Sequence, residues 1–173
     1  GSAPSRFPKD IDEVQTAMSA IGEYEVAASP LQMAMVAAAI QNGGVVMKPY
    51  LVERVRTTDL KVTFQAIPAP AGSDPQGQAI SAETANSLRE MMVAVVQQGT
   101  GRRAQVEGLE IGGKTGTAQS DRVRNPYAWF VAFASELNVA VCVFVEDAEI
   151  PADEIAGARV AAPVAKAVIE ALR

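Results

Sequence analysis

The chain contains no histidine, which removes the side chain that most often serves as general base or metal ligand near neutral pH. Any proton transfer must therefore fall to lysine, carboxylates or tyrosine. There is a single cysteine, Cys142, so an internal disulfide is excluded and the redox compartment stays open. Its setting, VAVCVFV, is that of a buried strand residue. No run approaches the ~20 apolar residues that a membrane span requires, and no signal peptide opens the sequence. Positive charge is in short supply: 15 Lys and Arg stand against 20 Asp and Glu, a net charge of −5. A phosphate backbone would gain nothing from that balance, so nucleic acid is not an expected partner.

What is present suits one folded domain. The 173 residues are 49% apolar, enough for a sizeable core. Gly1 and Ser2 read as a tag remnant spanning 1–3, with the natural start expected upstream. SPLQMAMVAAAIQNGG reads as a helix with both ends marked. Ser29 caps it, Pro30 suits its first position, Gln32 completes a capping box, and Asn42, Gly43 and Gly44 end it. Leu31, Met35 and Ala38 lie on one side, Met33, Val36 and Ile40 on another, so the helix is expected to be buried all round. VMKPYLVERVRTTDLKVTFQAI then predicts two short strands turning at Thr57 to Leu60. A Pro/Gly-rich loop covers 67–79.

A second helix is predicted from Ala82 to Gln98, capped by Ser81 and stopped by Gly99. Leu88, Met91, Met92, Val95 and Val96 form its apolar face. AWFVAFAS and NVAVCVFVE read as adjacent antiparallel strands joined near Glu136 and Leu137, with Trp129 and Phe130 read as core. The chain ends in helical sequence from about Ala152 to Leu172, where Val160, Val164, Val168 and Leu172 recur and Pro163 imposes a kink or an offset start. The fold expected is α/β, an antiparallel sheet packed by helices.

GGKTGTAQ, Gly112 to Gln119, sets one lysine among residues too small to build a core. Gly108 to Thr115 satisfies the phosphate-loop pattern G-x-x-x-x-G-K-[ST]. That loop needs a strand before its first glycine and a helix starting at its lysine. GTGRRAQVE precedes it and TGTAQSDRVRNP follows, and neither fits. The better reading is a strand of small residues on an open sheet edge, which a second backbone can approach closely. A lysine and two threonine hydroxyls there suit a ligand carrying a carboxylate.

At these residues the sequence resembles a known family. GKTGTAQ is similar to the Lys-Thr-Gly motif of the penicillin-binding transpeptidases. IGEYEVAASPLQMAMVAAAIQNGGVVMKPYLV resembles the family's buried helix and following strand. MMVAVVQQGTGRRAQ resembles its approach to the motif, and AWFVAFA and GARVAAPVAKAVI its last strands and final helix. The likeness runs in order from Ile21 to Ile169 and is strongest to monofunctional, class B members of Ala-rich, actinobacterial type. Glu23 departs from it, standing where the family commonly has glutamine.

The resemblance implies that residues 1–173 are the C-terminal part of a transpeptidase domain of the penicillin-binding/serine β-lactamase-like fold. It implies a peptidoglycan D,D-transpeptidase that works through an acyl-serine, binds β-lactams and needs no cofactor or metal. Lys114 would supply positive charge. Thr115 and Thr117 hydroxyls would hold the carboxylate, Gly116 would let the peptide lie close, and the Thr117 N–H would be an oxyanion donor. Expected partners are the peptidoglycan stem peptide, β-lactam antibiotics, the N-terminal part of the same domain and proteins of the division or elongation machinery. The expected location is the outer face of the cell membrane, with an N-terminal anchor upstream.

No serine here has a lysine three residues on, and no S-x-N occurs; Ser5 has Lys9 at the wrong spacing. The nucleophile is therefore expected outside this chain, which alone should be inactive. Alternatives are a non-catalytic peptide- or partner-binding relative, and a D,D-carboxypeptidase or β-lactamase on the same strand.

Overall fold

A short helix absent from the expectations above opens the fold in the computed structural model, which describes residues 3–71, 76–118 and 125–173. This helix, α1 (Glu13–Ala20), has a full capping box. The Gln15 N–H donates to the Asp12 carboxylate at 2.8 Å, and the Asp12 N–H donates to the Gln15 side chain at 3.0 Å. Val14 and Met18 stay exposed, so capping rather than an apolar face marks it. Gly1 and Ser2, residues 72–75 of the Pro/Gly-rich loop, and Gln119 lie outside the described residues.

Helix α2 (Pro30–Gln41) begins and ends where its signals predict. The Gln32 N–H donates to Ser29 Oγ at 3.2 Å, and this is the only half of the expected capping box that forms. Gly43 and Gly44, at φ 62° and 89°, turn the chain out. Burial corrects the expectation of an all-round core helix. Ala37, Ala39 and Ile40 are buried against the rest of the molecule, while Leu31 and Val36 are exposed.

The hairpin is present but shorter than its sequence suggests. β1 (Arg54–Arg56) pairs antiparallel with β2 (Val62–Gln65), closed by Thr57 N–H to Lys61 C=O at 2.9 Å. Every residue of both strands is exposed. Val45 and Met47 form bridges with Gln78 and Pro70 instead of extending it.

Helix α3 (Ala82–Gln97) is capped by Ser81, whose hydroxyl accepts from Thr84 N–H at 3.1 Å. Its buried residues are Ala85, Met92, Val93 and Val96. Met91, expected in the core, is 58% exposed, because the helix seats the stripe one position round from it. A 3₁₀ turn at Arg102–Ala104 then leads to the sheet, with both arginines exposed.

Strands β3 (Ile111–Ala118), β4 (Tyr127–Ala134) and β5 (Val139–Val145) form an antiparallel sheet in that order. Side chains alternate across it, so β4 feeds two cores. Phe130, Ala132 and Ala134 join Ala161, Ala162, Ala165 and Ile169 on one face. Phe133 joins Ile40, Met92 and Val93 on the other.

The final helix, α4, spans Ala162–Ala171, preceded by a π-turn at Gly157–Ala161. Pro163 therefore sits in the first turn of α4, directly after the π-turn, which is the offset start expected at this residue. The valine stripe is not what α4 buries. Val164, Val168 and Leu172 are exposed, whereas Ala161, Ala162, Ala165 and Ile169 are fully buried. Three alanines in that seam let the helix axis approach the sheet closely.

Candidate active site

The tetrad occupies the middle and end of β3, with Lys114 opposite Val131, Thr115 opposite Phe130, Gly116 opposite Trp129 and Thr117 opposite Ala128. Strand, not helix, continues through Lys114, which removes the phosphate-loop reading. Glycine is needed at the start of this strand for space. A Cβ on Gly112 would overlap the Phe133 ring, and one on Gly113 would lie 2.6 Å from Phe130 Cζ. Both rings rest on the bare backbone and fill the two cores.

The register decides which backbone groups of β3 are free to meet a ligand. Just before the strand, Ser135 N–H donates to Glu110 C=O at 3.2 Å, which puts Glu110 and Ser135 at a hydrogen-bonding position of the ladder, although the Glu110 N–H itself donates to the Glu136 carboxylate. Such positions alternate along an antiparallel ladder. Gly112, Lys114 and Gly116 therefore bond to β4, while Gly113, Thr115 and Thr117 turn their N–H and C=O groups to the outer edge of β3. A side-chain bond agrees with this assignment: Lys114 Nζ donates to the Thr115 carbonyl at 2.6 Å.

Side chains of the tetrad do not all point the same way. Lys114, exposed, shares a face with Trp129 and Val131. On this face lies a groove of about 690 Å³, floored by Trp129, Val131 and Phe144 and walled by the Ile21–Ala28 stretch and Met33. Trp129 and Phe144 stack with ring centroids 4.4 Å apart. Trp129 is thus half-buried beside the tetrad, whereas Phe130 is wholly core.

Thr115 and Thr117 project from the opposite face. The Thr115 hydroxyl lies 3.1 Å from that of Thr100, and Thr117 Oγ1 accepts from Gly157 N–H at 3.3 Å. Lysine and threonines therefore converge only at the strand's outer edge. Neither Thr100 nor Gly157 was legible as part of a site. Both are brought to β3 by the tertiary fold, from the turn after α3 and from the π-turn before α4.

A polar cluster anchors the other end of β3. Arg89 of α3 is paired with Glu110 and donates to Gln41 at 3.2 Å. Ser135 Oγ donates to Glu110 at 3.2 Å. Cys142 takes no part: burial raises its thiol to about 11, so it stays neutral and unreactive near pH 7.

An open strand edge with a lysine and two threonines beside an apolar groove offers backbone groups that an extended peptide could pair with and a cation and hydroxyls that suit a carboxylate. The chain belongs to the penicillin-binding protein transpeptidase domain family, whose model matches residues 4–170. It is 39% identical over 166 residues to the peptidoglycan D,D-transpeptidase PbpA of Mycolicibacterium smegmatis, covering 93% of this chain and 32% of that protein. Stage V sporulation protein D of Bacillus subtilis is 33% identical over 145 residues, 80% of this chain and 22% of that protein. The fold superposes on a ceftriaxone acyl-enzyme complex of penicillin-binding protein A from M. tuberculosis with a TM-score of 0.87 and 34% identity, covering 98% of this chain and 38% of that one. The chain thus spans about a third of the length of these mycobacterial relatives.

Proposed function

We propose that this chain forms the substrate-holding part of a peptidoglycan D,D-transpeptidase, a whole protein that β-lactams acylate at a serine outside residues 1–173. The observation that carries this is the β3 register, which turns the Thr115 and Thr117 backbone toward the open edge beside Lys114. A donor stem peptide lies along that edge as an added strand. When the serine attacks the D-Ala-D-Ala carbonyl, the carbonyl oxygen gains negative charge, and the Thr117 N–H donates to it. Lys114 supplies positive charge to the same space, and the Thr115 and Thr117 hydroxyls hold the terminal carboxylate. Loss of the last D-Ala leaves the acyl-serine, which the amine of a second stem peptide then takes up. The relatives' activity and the acyl-enzyme complex of one of them support this reading. Peptidoglycan is assembled outside the cytoplasmic membrane, so the whole protein works there, with the division or elongation machinery as its partners.

Fluorescent penicillin tests the proposal. The full-length protein should carry label through denaturing electrophoresis, and the 173-residue chain should not. A labelled isolated chain would place the nucleophile within these residues and contradict the division of roles. An unlabelled full-length protein that binds stem peptide would instead favour a non-catalytic binder.

A further inference from the structure

Gly157 is buried at the start of the π-turn, packed directly under the tetrad. A Cβ there would overlap the Trp129 carbonyl and lie 2.7 Å from the Gly116 carbonyl oxygen and 3.0 Å from its nitrogen. Its φ lies outside the left-handed region, so the position demands glycine for space alone. This close seat brings the Gly157 N–H to Thr117 Oγ1 at 3.3 Å. A hydroxyl has one proton to donate and two lone pairs to accept with. Once Thr117 accepts from a fixed backbone amide, its own proton is left to point elsewhere. Among the described residues, the Thr115 hydroxyl lies instead beside another rotating hydroxyl, that of Thr100.

We infer that Gly157 is a positioning residue for ligand binding. Its N–H holds the Thr117 hydroxyl as an acceptor, so that the hydroxyl proton is presented to the ligand's carboxylate. Its bare Cα also lets the π-turn brace the Gly116 peptide, fixing the strand from which the Thr117 N–H projects. The inference rests on the reading of Thr117 as a carboxylate donor. It adds a group from the last turn of the fold that touches no ligand and acts through Thr117.

The test removes the N–H without adding an atom: glycolic acid replaces Gly157 in the full-length protein, turning that amide into an ester. Penicillin G and its methyl ester serve as probes, and binding (Kd) is resolved from the acylation step. The ester-backbone protein should bind penicillin G about 3–10-fold more weakly, the size of one hydrogen bond, with the acylation step unchanged and the methyl ester unaffected. Thr117→Val should show the same loss, and adding the ester to Thr117→Val should cost nothing further. In Thr117→Ser, which keeps a hydroxyl, the ester's effect should return. Losses that multiply in the double variant, or equal losses for acid and methyl ester, would overturn the role of Gly157. If Thr117→Val alone leaves the acid-to-ester preference intact, the carboxylate reading of Thr117 falls, and this inference with it.

Discussion

On the proposed reading, Thr117 has two separable functions, one in its backbone and one in its side chain. Its N–H faces the outer edge by the register of β3, whereas its hydroxyl lies on the face nearest Gly157. Proline is tolerated on edge strands when the lost N–H faces away from the ladder, so Thr117→Pro should fold. In the full-length protein it should slow β-lactam acylation by about 10²–10³-fold, the cost of one oxyanion donor. Thr117→Ala keeps the N–H and should weaken binding only, by about 3–10-fold. Acylation kinetics, with thermal melting as the control for folding, separate the two. Equal losses in two well-folded variants would give the role to the hydroxyl. Lys114 to Thr117 could be picked out in sequence because residues so small around one lysine bring no bulky side chains of their own to a core. The opposed faces of lysine and threonines follow from strand alternation, but their supports, Thr100 and Gly157, lie 15 and 40 residues away in sequence. No local pattern reports contacts of that range.

At the scale of elements, ends were more legible than faces. Ser29, Ser81 and the Asn42-Gly43-Gly44 stop mark α2 and α3 because capping is a local hydrogen-bonding problem. Which side of a helix is buried depends on its neighbours. In α4 the buried seam is Ala162, Ala165 and Ile169 rather than the bulkier valines, since close approach to the sheet rewards small residues more than large ones. In α3 the seat falls one position from Met91. α1 was missed because its apolar pattern is weak, although Asp12 and Gln15 spell its capping box. Strand β3 depends on the same close packing. Gly112→Ala forces a methyl group into the Phe133 ring at the junction with Ile40 and Met92. Overpacking of that kind costs about 1–3 kcal/mol, measurable by urea unfolding of the full-length protein. An unchanged midpoint would mean that Phe133 does not lie on the bare strand as described.

For the whole molecule, the sheet between α4 on one face and α2 with α3 on the other holds an edge strand in place. No serine in the chain has the lysine partner that acyl transfer of this family uses, and the chain spans 32% of the first mycobacterial relative. Family and fold were readable from ordered motifs spread along the chain. The groove beside Lys114 was not, because its walls come from Ile21–Ala28, α2 and β5 together. On the proposed reading, the outer edge of β3 binds the reacting carbonyl. A crystal structure of the full-length protein acylated by penicillin G tests it most directly. The acyl carbonyl oxygen should lie within about 2.7–3.1 Å of the Thr117 nitrogen, with the penicillin carboxylate against the Thr115 and Thr117 hydroxyls. An acyl group whose carbonyl oxygen turns away from β3, held by donors on other elements, would contradict it.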